Sequence, residues 1–126
     1  MPGRILFVDD EERILAALRE YFIDCNYEVD CALTVEAARD FLARAQYSVV
    51  VTDISFTGIN GIEGLDLVEY VRQFCPGTRV LVLTAHFSEE TEDAAMGRGA
   101  DAYLTKPISL SYVEKIVAGL HRTEGQ

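Results

Sequence analysis

Residues 48–53 read Ser-Val-Val-Val-Thr-Asp. Three valines in a row are too short a run for a buried helix and make a strand covered on both faces. Such a strand belongs in the middle of a parallel sheet, so Asp53 stands at a C-terminal strand end, where open α/β sheets place their ligands. A single acid there could equally open a polar loop. What decides between the two readings is the chemistry carried by the other strand ends.

Outward from that strand, Ile5-Leu6-Phe7-Val8 is another buried run, and it leads straight into Asp9-Asp10-Glu11-Glu12. Ile14, Leu15, Leu18, Tyr21 and Phe22 then recur at helical spacing. The acids ahead of them suit the positive end of a helix dipole, and capping alone would account for Asp9 and Asp10. Residues 27–32 form a weaker, more polar strand of the kind found at a sheet edge, and its end carries no chemistry. Thr34 can cap a second helix striped by Val35, Ala38, Phe41, Leu42 and Ala45. After Asp53, residues 54–63 include Gly58 and Gly61 and form a long loop. Gly64 opens a third helix with Leu65, Val68, Val71 and Phe74 on its inner face and Leu67 beside them; Pro76-Gly77 stop it.

Val80-Leu81-Val82-Leu83 is a fourth buried strand, ending in Thr84-Ala85. Ser88 caps an acid-rich fourth helix that offers only Ala94, Ala95 and Met96 for packing, and Gly97 and Gly99 close it. This helix is expected to be held less firmly than its neighbours. Residues 102–105 are a fifth strand ending at Lys106-Pro107, and Ser109 caps a last helix bearing Leu110, Val113, Ile116, Val117 and Leu120. Five strands alternating with five helices specify an α/β fold, a doubly wound five-stranded parallel sheet of flavodoxin-like order 2-1-3-4-5. Residues 1–122 make one domain, and 123–126 are a tail or the start of a linker.

At 126 residues and 49% hydrophobic content the chain can bury a core without disulfide or metal staples. Its net charge of -10 and the lack of a basic run disfavour direct nucleic-acid binding. Cys25, Cys31 and Cys75 form no CxxC pair, which fits a reducing cytoplasm. No apolar run is long enough for a membrane span.

Side by side, the strand ends offer Asp9 and Asp10, Asp53, Thr84 and Lys106. In the order 2-1-3-4-5 the switch point falls between strands one and three, where the acids converge. Three carboxylates at one point call for a cation, and hard oxygen ligands suit Mg²⁺. A carboxylate beside a metal, a lysine and a hydroxyl is equipped for phosphoryl transfer, with Asp53 as nucleophile and Thr84 and Lys106 holding phosphoryl oxygens.

This set, Asp9-Asp10, Asp53, Thr84-Ala85 and Tyr103-Leu104-Thr105-Lys106-Pro107, resembles the receiver domain of two-component response regulators across residues 4–120. The stretch from Leu83 to Ala100 is similar to receivers attached to transcriptional activators. The resemblance implies that Asp53 accepts a phosphoryl group from a phosphohistidine on a sensor histidine kinase or a histidine phosphotransfer protein. Labelling of Asp53 would be self-catalysed, so the domain is not an enzyme acting on other substrates. It further implies Mg²⁺ bound by Asp10, Asp53 and the Ser55 carbonyl, with Asp9 acting through water. Tyr103 would swing inward with Thr84 on activation, and the bond before Pro107 would be cis. The output face would be helix four, strand five and helix five, serving an effector domain or a homodimer. The sequence departs from the family pattern in the loop after Asp53, which is lengthened and has Thr57 at a position usually held by proline. His86 and Ser55 stand where the family modulates phosphoryl lifetime; His121 is expected to be solvated. The competing readings are a Mg²⁺-dependent phosphatase of the haloacid-dehalogenase type and a receiver-like interaction module that takes no phosphate. The first suffers from adjacent rather than alternating acids at strand one and leaves Asp53 without a role.

Overall fold

Strands apolar on both faces need helices on both faces, and the chain supplies them in alternation. The computed structural model describes residues 3–54, 62–85 and 87–124. The elements run β1 (Arg4–Val8), α1 (Glu12–Asp24), β2 (Glu28–Ala32), α2 (Val35–Arg44), β3 (Val49–Thr52), α3 (Ile62–Phe74), β4 (Arg79–Thr84), α4 (Glu89–Arg98), β5 (Ala102–Thr105) and α5 (Leu110–Glu124). All neighbouring strands pair in parallel in the order β2-β1-β3-β4-β5, as the alternation requires. Most of the long loop ahead of α3, with Ser55, Thr57 and His86, lies outside the described residues.

Side chains alternate across the sheet and sort into two layers. Leu6, Val8, Val50, Val80 and Val82 pack with α2, α3 and Ala95 of α4. Ile5, Phe7, Val49, Val51, Leu81 and Leu83 pack with α1 and α5. The register aligns Val8, Thr52, Val82 and Tyr103 across four strands, so the residues just beyond β1 and β3, Asp9 and Asp53, emerge side by side. Helix starts follow the expected chemistry. Thr34 accepts from the Ala37 amide at 3.0 Å, Ser88 from Thr91 at 3.0 Å and Ser109 from Tyr112 at 3.2 Å.

Several expected details change. Phe74 does not line the inner face of α3 but is 62% exposed, because it is the helix's last residue and rests on Tyr70, ring centroids 5.0 Å apart, instead of on the sheet. Leu67, Val68 and Val71 are the buried stripe, and Leu65 is half-buried. Gly97 continues α4, which ends instead at Gly99 with φ 118°, the left-handed conformation that glycine adopts without penalty. Met96 is exposed, leaving Ala95 as the buried residue of α4. His121 is half-buried beside Gly3. α5 extends through Glu124, into the residues expected to form a tail.

α3 can approach the Asp53 loop because residue 64 has no side chain: a Cβ there would lie 2.5 Å from the Ile54 Cα and 2.8 Å from its carbonyl oxygen. Gly64→Ala therefore forces backbone apart and should cost about 1–3 kcal/mol. Gly97→Ala and Gly119→Ala would meet nothing within 4 Å and, being inside helices, should gain about 0.5–1 kcal/mol. Urea denaturation with unchanged m-values checks both signs.

Candidate functional site

β1 and β3 are neighbours, so two acids meet at their ends in a place that is almost dry. Asp9 is 4% exposed and Asp53 is 6% exposed. Two carboxylates placed this way repel one another unless a cation stands between them. Lys106, arriving from the end of β5, provides it: its Nζ donates to Asp9 Oδ2 at 2.8 Å and to Asp53 Oδ2 at 3.2 Å. Burial alone would push the ammonium's pKa down. The hydrogen bond to Asp9 and the charges of Asp53 and Asp9 outweigh burial and hold Lys106 above the ordinary lysine value. The bond between Lys106 and Pro107 is cis, as expected.

The two carboxylate oxygens of Asp9 divide its work. Oδ1 accepts the Glu11 amide at 3.0 Å at the start of α1, while Oδ2 takes the lysine. The capping reading and the site reading are thus both correct for this residue. Asp53 is tied to the sheet by its amide, which donates to the Val8 carbonyl at 3.0 Å. Thr84 is fully buried at the end of β4, and its carbonyl accepts the Lys106 amide at 2.8 Å. Strand alternation puts Thr84 on the layer of Val80 and Val82, the same face as Tyr103, whose register partner is Val82.

The Tyr103 hydroxyl is buried beside the start of α4, with the Ser88 backbone near it. Burial, then the charge of Glu92, pushes its phenol above the ordinary tyrosine value, with the Ser88 backbone opposing. Its ring meets Phe87 edge-on at 6.2 Å. The structure thus gathers Asp9, Asp53 and Lys106 into one cluster, with Thr84 at the end of the adjacent strand β4 and Tyr103 on the same face of the sheet as Thr84. Asp10 is exposed, and Ser55 lies outside the described residues.

Among the described residues no three His, Cys, Asp or Glu side chains are gathered closely enough to hold a metal by themselves. The charge balance nevertheless suits one. Asp9, Asp10 and Asp53 against Lys106 leave a formal excess of two negative charges at the rim, all on hard oxygen donors that favour a divalent ion such as Mg²⁺.

The family model for the response regulator receiver domain matches residues 5–118. The chain belongs to the response regulator receiver domain family. It is 35% identical to the response regulator protein PilR of Pseudomonas aeruginosa over 115 residues, which are 91% of this chain and 25% of that protein. It is 37% identical to the alginate biosynthesis transcriptional regulatory protein AlgB of the same organism over 107 residues, 85% of this chain and 23% of that one. A CheY-like receiver domain protein from Methanospirillum hungatei superimposes with a TM-score of 0.88 at 28% identity, covering 99% of this chain and 98% of that one. This receiver domain spans about a quarter of the length of PilR and AlgB. A match running through all five strands overturns the phosphatase reading.

Two neighbours of Asp53 were passed over in the sequence: Gly64, which lets α3 close on Ile54, and Thr52, whose hydroxyl donates to the Asp53 carbonyl at 3.1 Å. The signal for Thr52 was a lone hydroxyl ending a run of valines. Lys106→Met would leave two buried carboxylates without their cation and should destabilise the domain by up to about 3 kcal/mol in EDTA. Adding Asp9→Asn should restore part of that loss, a coupling read by a double-mutant cycle in urea.

Proposed function

We propose that Asp53 is the phosphoacceptor of this receiver, taking its phosphoryl group from a phosphohistidine on a sensor histidine kinase or a histidine phosphotransfer protein. The observation that carries the reading is the dry Asp9–Lys106–Asp53 cluster at the end of the central strand. An Asp53 carboxylate oxygen attacks phosphorus, the new O–P bond forms as the P–N bond breaks, and the electron pair leaves on the imidazole nitrogen. Lys106 trades a carboxylate for a phosphoryl oxygen, and the Thr84 hydroxyl donates to another. Asp10, Asp53 and the Ser55 carbonyl would hold Mg²⁺, with Asp9 acting through water; the ion supplies neutralisation of the phosphoryl oxygens. The domain catalyses its own labelling and acts on no other substrate. An apolar cleft of about 310 Å³, lined by Ile14, Leu18, Pro107, Ile108 and Leu110 and bordered by Lys106, suits a donor carried on a protein surface.

Phosphorylation is read out through Thr84 and Tyr103 on the face of α4, β5 and α5. Phe87, Met96 and Tyr112 are exposed on or beside these elements, and this face serves an effector domain or a second copy. By analogy with AlgB, a transcriptional regulatory protein by name, the output is transcriptional. The described helices include none long and apolar enough to cross a membrane; the proposed phosphohistidine donor is what assigns the domain to the cytoplasm.

Incubation with acetyl phosphate and Mg²⁺ should label Asp53, as mapped after borohydride trapping. Asp53→Asn or EDTA should abolish the label, and equal labelling of the variant overturns the assignment. Mg²⁺ alone should raise the melting temperature by mass action, and Asp10→Ala should diminish that rise. Beryllofluoride, standing in for the phosphoryl group, should alter amide exchange across residues 84–106. Changes confined to the surroundings of Asp53 would sever the proposed output from Thr84 and Tyr103.

A further inference from the structure

We infer that Thr52 is a positioning residue for the phosphoacceptor, setting through a single hydroxyl the peptide plane from which the metal-binding backbone departs. The inference rests on the proposed role of Asp53. In register, Thr52 sits between Val8 of β1 and Val82 of β4, both members of the aliphatic layer under α2 and α3. Valine has the shape this row calls for, and threonine differs from it by replacing one methyl with a hydroxyl. That hydroxyl is carried on a residue that is 0% exposed, where a polar group is costly unless bonded. Its hydrogen bond, the one it makes among the described residues, goes to the carbonyl of Asp53 at 3.1 Å.

The consequence follows from what else holds Asp53. Its amide is bound to the Val8 carbonyl at 3.0 Å. With its carbonyl bound by Thr52, both peptide groups flanking the acceptor are fixed, and the next residue, Ile54, is covered by α3 at Gly64. The orientation of the acceptor is therefore set by β1 through its amide and by Thr52 through its carbonyl. Thr52 touches neither metal nor phosphoryl group and acts through its neighbour, as outer-sphere partners of metal sites do.

The test compares wild type, Thr52→Val and Thr52→Ser in three measurements: Mg²⁺ affinity by calorimetry without phosphodonor, the rate of labelling by acetyl phosphate, and the Ile54 amide nitrogen shift by NMR. The nitrogen shift reports the hydrogen bond to the preceding carbonyl. The valine variant should fold, move the Ile54 signal, and lose about 10-fold or more in Mg²⁺ affinity and labelling rate; the serine variant should recover both. Should the valine chain not fold, Thr52→Ala is measured in its place. Wild-type Mg²⁺ affinity in the variant lacking the hydroxyl overturns the proposal, and so does equal loss in the serine variant, which would assign the effect to shape. If wild type itself binds no Mg²⁺ and takes no label, the reading of Asp53 fails instead, while the Ile54 shift still decides whether Thr52 orients that peptide.

Discussion

Two carboxylates share one ammonium at the end of the sheet, and much of the architecture exists to make that arrangement possible. Asp9 and Asp53 face each other because β1 and β3 are adjacent, a pairing that exists only because the chain doubles back after its second strand. Lys106 comes from β5, two strands beyond β3, and crosses that distance on its long side chain. Take the lysine away and two buried side chains of like charge lose the ammonium that bridges them. Take the strand order away and they never meet.

What could be read from the chain divides along one line, between signals that are local and those that need a neighbour in space. The strands were legible because branched apolar runs such as Val49-Val50-Val51 exclude other conformations, and the caps Thr34, Ser88 and Ser109 because capping is decided within three residues. Asp53, Thr84 and Lys106 stood out as polar groups ending apolar strands. Phe74 misled because helical spacing says nothing about where the sheet beneath a helix runs out. His121 misled in the opposite sense, since its cover comes from the other end of the chain. Gly64 and Thr52 were passed over as neighbours of Asp53: the first leaves room for the Ile54 backbone, and the second bonds a carbonyl that any residue would carry.

The fourth helix is built unlike the rest. It is well terminated, by Ser88 at its start and by left-handed Gly99 at its end, yet Ala95 is the residue it buries. Good termini preserve it as a helix, and a shallow anchor costs little to shift. Against its start lies Tyr103, whose phenol is pushed above the ordinary tyrosine value by burial first and by the charge of Glu92 next.

The alternation of side chains along a strand also assigns the two faces of the sheet to different tasks. Asp9 and Asp53 border the layer of α1 and α5, while Thr84 and Tyr103 lie on the layer of α2, α3 and α4. Asp53 follows β3 and Thr84 ends the neighbouring β4, so at that edge of the sheet the two layers come within one strand spacing, about 5 Å, of each other.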